Sequence, residues 1–72
     1  MEATTSVEIR VNGELRLVQE ATTVADLLAS LGHAGRRVAV ERNGEIVPRS
    51  RHHEIRLARG DQLEIVAAVG GG

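Results

Sequence analysis

Asn-Gly occurs twice in this chain, as Asn12-Gly13 and Asn43-Gly44, and each pair stands between short segments of β-forming residues. A type I′ turn needs positive φ at both central residues, and Asn-Gly supplies it at low cost, so each pair specifies a tight hairpin. Before the first pair, Val7, Ile9 and Val11 alternate with Ser6, Glu8 and Arg10, the pattern of a half-buried strand. After it, a partner strand runs over about Glu14 to Val18, with Leu15 and Leu17 on one face. Around the second pair, Arg37 to Glu41 reads as a strand with Val38 and Val40 on one face. Glu45-Ile46-Val47 is a short return strand, ended by Pro48, which cannot donate to a ladder.

Between the hairpins the period changes. Val24, Leu27, Leu28 and Leu31 fall at i, i+3, i+4 and i+7, one face of a helix over Val24 to Leu31. Thr23 is placed to cap it, with Asp26 at the third position of a capping box, and Gly32 is placed to stop it in a left-handed conformation. Two turns are marginal in water alone, so the apolar face must dock on the hairpin. His33-Ala34-Gly35 reads as a loop. Arg49 to Glu54 reads as polar and irregular, with room for one helical turn. Arg59-Gly60-Asp61 is a turn, and Gln62 to Ala67 is a last strand with Leu63 and Ile65 inward.

Hairpin, helix, strands and a glycine tail fit an α+β arrangement: one helix across a mixed sheet of four to five strands, with the first and last strands side by side. That is the β-grasp, or ubiquitin-like, roll. The expected organisation is one β-grasp domain over residues 1–68 and a flexible tail over 69–72. Seventy-two residues leave no room for a second domain, and so small a body supports no large internal cavity.

Composition narrows the function. The chain is 42% hydrophobic and 26% charged with a formal net charge of −1, and it lacks Phe, Tyr, Trp and Cys. The core is therefore aliphatic. Disulfides, thiol nucleophiles and cysteine zinc sites are excluded. Near-neutral charge without a stacking platform argues against nucleic acid as a partner. No apolar run approaches the roughly 18 residues of a membrane span, and Met1-Glu2-Ala3-Thr4-Thr5 is too polar for a secretory signal. A cytoplasmic protein is expected.

The side chains offer little chemistry, and no catalytic constellation or metal site is expected. His52-His53 are adjacent, with His33 distant, and all three read as solvated loop histidines. Arg49, Arg51, Arg56 and Arg59 read as a charged solvent face, or else as a patch for an acidic partner. The tail is different. Gly70-Gly71-Gly72 follows a strand directly and has no core to pack, so it is expected to stay mobile. Val69 to Gly72 extends about 13 Å. Without Cβ atoms, Gly70 and Gly71 are slender enough to thread a narrow channel in another protein, delivering one reactive group, the α-carboxylate of Gly72.

Four stretches together resemble the sulfur carrier proteins of thiamine biosynthesis, the ThiS family. They are Glu41-Arg42-Asn43-Gly44-Glu45-Ile46-Val47-Pro48-Arg49-Ser50, Gly60-Asp61-Gln62-Leu63-Glu64-Ile65-Val66, Ala68-Val69-Gly70-Gly71-Gly72, and the helix entry Thr22-Thr23-Val24-Ala25-Asp26-Leu27-Leu28. One departure is His52, where the family often has an aromatic residue. The resemblance implies a carrier without catalysis of its own. An adenylating, E1-like enzyme would activate the Gly72 carboxylate with ATP and Mg²⁺, and the carrier itself would bind no cofactor. A persulfide-carrying donor would convert the adenylate to a thiocarboxylate, which thiazole synthase would consume. Val69, Gly70 and Gly71 would thread the partner's channel.

Two rivals share the fold: the small subunit of molybdopterin synthase, usually longer and with aromatic residues, and a plain ubiquitin-like interaction module. All nine basic residues are Arg, with no Lys. No side-chain amine is available to capture an activated Gly72 as an isopeptide, which disfavours a polymeric ubiquitin-type tag.

Overall fold

The structure, a computed structural model, describes residues 5–67. The chain runs through β1 (Ser6–Val11), β2 (Glu14–Gln19), α1 (Val24–Ser30), β3 (Val38–Arg42), β4 (Glu45–Ile46), a 3₁₀ turn (Arg49–Arg51) and β5 (Gln62–Ala67). The strands form one mixed sheet in the order β2-β1-β5-β3-β4. β1 and β5 are parallel, with Arg10 opposite Gln62 and Val11 opposite Leu63, and the other pairs are antiparallel.

Both Asn-Gly turns adopt the expected conformation. Asn12 and Gly13 have φ of 51° and 87°, and Asn43 and Gly44 have 53° and 87°. β3 begins and ends one residue later than the alternation predicts; its end is extended because Arg42 pairs with both Glu45 and Leu63.

The helix entry is a reciprocal capping box: Asp26 N–H donates to Thr23 Oγ1 and Thr23 N–H to Asp26 Oδ2, each at 3.1 Å. The helix stops at Ser30, one residue short of Leu31, which serves as its C-cap. Gly32, at φ 84°, then takes the left-handed position. Its N–H donates to Ala29 O and that of His33 to Leu28 O, the bond pattern of a Schellman stop.

Ile9, Val24, Leu27, Val40 and Leu63 are almost wholly buried, with Val11, Leu28, Val47, Leu57 and Ile65 around them. This is an aliphatic core between the helix and the inner sheet face. The segment between β4 and β5 contributes to it through Val47 and Leu57. It is strapped to the helix entry by Val24 N–H to Ile55 O, Ala25 N–H to His52 O and Leu57 N–H to Thr22 O.

Leu15 and Leu17 do share a face, but it is the outer one. The hairpin register sets them opposite Arg10 and Glu8, while Val18 stands opposite Val7 on the inner side. A one-residue slip would reverse this, so the turn chemistry, not leucine hydrophobicity, decides the register.

Candidate functional site

The residues singled out for chemistry, Val69, Gly70, Gly71 and Gly72, lie outside the described residues. What the fold fixes is the place from which they depart. β5 starts where β1 ends and continues beyond it. Past Leu63 its β1 side is met by the Asn12 side chain, whose Oδ1 accepts from Ile65 N–H at 2.8 Å and whose Nδ2 donates to Ile65 O at 3.2 Å. Ala67, the last described residue, pairs with Val38 at the start of β3.

The outer face near this exit carries bands of different chemistry. A shallow hollow of about 410 Å³ at the exit is lined by Arg37, Val38, Ala39, Arg49 and Val66. One step back along the ladder Glu64 stands opposite Glu41, and Glu41 in turn opposite Ile46. Further back, Arg10, Gln62, Glu41 and Glu64 border a second hollow of about 590 Å³. The alternation marked the outward positions, but it could not show which of them become neighbours, since that depends on strand order.

Asp61, read from sequence as a turn residue, organises this end of the sheet. Its buried carboxylate accepts from Arg42 Nε at 2.8 Å, Asn43 Nδ2 at 3.0 Å and Ala58 N–H at 2.8 Å. Burial raises its pKa, and these three hydrogen bonds with the Arg42 charge outweigh burial, so the carboxyl stays below its ordinary value. Asn43 Oδ1 accepts from Gln62 N–H, which ties the second turn to the start of β5.

The histidines are not all solvated. His52 is only 6% exposed, with Nε2 3.2 Å from Val47 O. Its ring fills a packing position, which accounts physically for an aromatic residue being acceptable there. His33 is half-buried and His53 exposed. The fold brings all three to the rim of one hollow of about 780 Å³ beside Leu28 and Ala29 of α1. Even so, among the described residues no group of three His, Cys, Asp or Glu side chains could hold a metal ion. Arg49, Arg51, Arg56 and Arg59 are all exposed, and Arg51 pairs with exposed Glu54 at 3.4 Å. No helix among the described residues is long and apolar enough to cross a membrane.

A five-stranded mixed sheet with parallel first and last strands and one helix across its inner face defines a β-grasp protein. The ThiS family profile matches residues 9–72. The sulfur carrier protein ThiS of Bacillus subtilis is 42% identical over 65 residues, covering 89% of this chain and 98% of that protein. The crystal structure of the thiamine biosynthesis protein ThiS from Geobacter metallireducens superposes with a TM-score of 0.73 at 33% identity, covering 92% of this chain and all of that one. A thiazole synthase of Paramagnetospirillum magneticum is 48% identical over 66 residues, which are 92% of this chain but 20% of that enzyme. The thiazole synthase of Magnetococcus marinus matches in the same proportions at 41% identity. The chain thus spans about a fifth of the length of these two relatives. The chain belongs to the ThiS family.

Proposed function

We propose that this chain is a sulfur carrier of thiamine biosynthesis, that the Gly72 carboxylate holds the sulfur, and that the β-grasp body serves recognition alone. The observation that carries this reading is the family match, which runs unbroken from β1 through Gly72. The two thiazole synthases that contain a related segment support that enzyme as the consumer of the sulfur.

The chemistry dictates the division of labour. A carboxylate resists nucleophiles because it is anionic and has no good leaving group. An adenylating partner using ATP and Mg²⁺ makes the acyl-adenylate and releases pyrophosphate. The terminal sulfur of a persulfide attacks the acyl carbon, and AMP departs. A thiol then cleaves the sulfur–sulfur bond and frees the thiocarboxylate. Every reactive group but one belongs to a partner. The chain contributes Gly72 and a run, Val69-Gly70-Gly71, thin enough to enter an active-site channel. It has no cysteine, so no side-chain thiol of its own can hold the sulfur as a persulfide.

The test is intact mass after incubation with the adenylating enzyme, ATP and a persulfide donor. The expected product has one sulfur in place of one oxygen at the terminus. Deletion of Gly72, or Gly71→Val, is expected to abolish loading while leaving the unfolding temperature unchanged. Normal loading of Gly71→Val would refute the threading argument, and normal loading without Gly72 would refute the carrier reading.

A further inference from the structure

The hollow that the three histidines share has no part in the chemistry of the terminus. It lies between α1, the loop that follows it and the 3₁₀ segment, and its volume of about 780 Å³ falls within the roughly 300–1,000 Å³ of small-molecule sites. Leu28, Ala29 and Val38 give it an apolar wall. Arg36 borders it from the loop before β3 and Arg49 from the 3₁₀ turn. Both are exposed, and among the described residues neither guanidinium joins an ion pair. Asp26, the single acid at the border among the described residues, already accepts from Thr23 N–H in the capping box. His33 adds a sign of incompleteness: its Nδ1 is shut off from solvent and has no hydrogen-bond partner, a costly state for a polar atom.

Two guanidiniums on separate elements match one oxyanion of high charge, since each offers a fork of parallel N–H donors to a pair of oxygens. The Ser50 hydroxyl and the exposed His53 imidazole stand at the same border as further donors. A phosphate monoester carries a charge of about −1.5 to −2 near neutrality, more than any single carboxylate. The apolar wall sets a second requirement. A bare phosphate has nothing to lay against it, whereas a small flat body attached to the phosphate would remove it from water. An acidic protein surface would find the exposed Arg51 and Arg59 equally good and would leave the wall uncovered.

We propose that this hollow is a binding site for a small organic phosphate monoester, with the phosphate held between Arg36 and Arg49 and the body laid against Leu28, Ala29 and Val38. The ester would bridge α1, the loop before β3 and the 3₁₀ segment. It binds the folded chain and not the unfolded one, so it raises stability by mass action. The site also borders the end of the last described strand, because Val38 pairs with Ala67 of β5. The inference goes beyond the carrier reading and does not depend on it.

The experiment titrates the full chain with phenyl phosphate, AMP, inorganic phosphate, phenol and a short polyglutamate peptide at constant ionic strength. Binding is read from amide NMR shifts and from the unfolding temperature. At least one of the two esters is expected to saturate shifts at Leu28, Ala29, His33 and Val38, to bind at least tenfold more tightly than inorganic phosphate, and to raise the unfolding temperature. Phenol is expected not to bind. Arg36→Gln with Arg49→Gln should weaken the ester at least tenfold, whereas Arg51→Gln with Arg59→Gln should leave it unchanged. Ala29→Glu places a carboxylate at the border on an exposed helical position, where glutamate is a good helix former, and should abolish binding with the ligand-free unfolding temperature retained. Four results overturn the proposal: no saturable binding of either ester, inorganic phosphate binding as tightly as both, equal weakening by the two arginine pairs, or the peptide binding as tightly as the better ester, which would assign the arginines to an acidic protein. Binding is read on this chain alone, so a failure of sulfur loading would refute the carrier reading and leave this result standing.

Discussion

Asp61 shows how much one buried carboxylate can organise in a domain of this size. It receives Arg42, Asn43 and the Ala58 N–H, and the Arg10 N–H donates to its backbone oxygen at 2.9 Å. Because its folded pKa is depressed, the ionised form is favoured by folding. The stability it contributes is therefore present above the ordinary carboxylate pKa. It is lost as pH falls through that value, about 3.9, toward the lower folded one. Asp61→Asn keeps the shape but turns an amide group toward donors, and it should cost about 2 kcal/mol at neutral pH. Denaturant unfolding of both proteins against pH checks this: the gap should narrow as the wild type is acidified below the ordinary carboxylate range. A gap independent of pH would show that packing, not ionisation, carries the effect. The sequence presents Asp61 as one member of a turn, because its partners Arg42 and Asn43 lie on another hairpin.

At the scale of elements, what could be read in the sequence is what local chemistry dictates. Positive φ at Asn12-Gly13 and Asn43-Gly44, the Thr23–Asp26 box and the Gly32 stop each need only a few neighbouring residues, and each is in place. The five strands and the helix follow from them. The long-range uses of the same residues were not legible. Asn12 is read as a turn former, yet its amide also continues the β5 ladder across 53 positions of sequence. The two roles are separable. Asn12→Gly keeps the left-handed backbone and removes both side-chain hydrogen bonds, and it should destabilise by about 2 kcal/mol, roughly 1 for each bond. Asn12→Ala should cost about 1 kcal/mol more, because alanine in the left-handed region adds strain. Chemical denaturation of the pair resolves the two terms. Equal stabilities of Asn12→Gly and wild type would mean that the amide does nothing beyond the turn.

For the whole molecule, the two sheet faces divide the work. The inner face and α1 hold an aliphatic core, and the outer face keeps Leu15, Leu17, Ile46 and Val66 in solvent. Hydrophobicity alone favours burying those residues; the strand registers forbid it. The candidate surface was thus half legible: the terminal glycines and the outward positions stand in the sequence, but the Glu41–Glu64 juxtaposition requires the strand order.

Surface charge follows a second global rule, since every basic residue is an arginine. Under the carrier reading the terminus passes through an acyl-adenylate, which reacts with amines. A guanidinium remains protonated and is a poor nucleophile, whereas a lysine ammonium has a pKa of about 10.4 and leaves some free amine near neutrality. Arg51 and Arg59 are exposed, and among the described residues Arg51 pairs only with exposed Glu54, so lysine at either place should leave stability within about 0.5 kcal/mol of wild type. With the adenylating enzyme and ATP but no sulfur donor, R51K and R59K are expected to accumulate covalent dimers joined from Gly72 to the new amine. Wild type should yield far less crosslinked product. Denaturing electrophoresis and peptide mass mapping measure it, and equal crosslinking in all three would show that the absence of lysine does not protect the activated terminus.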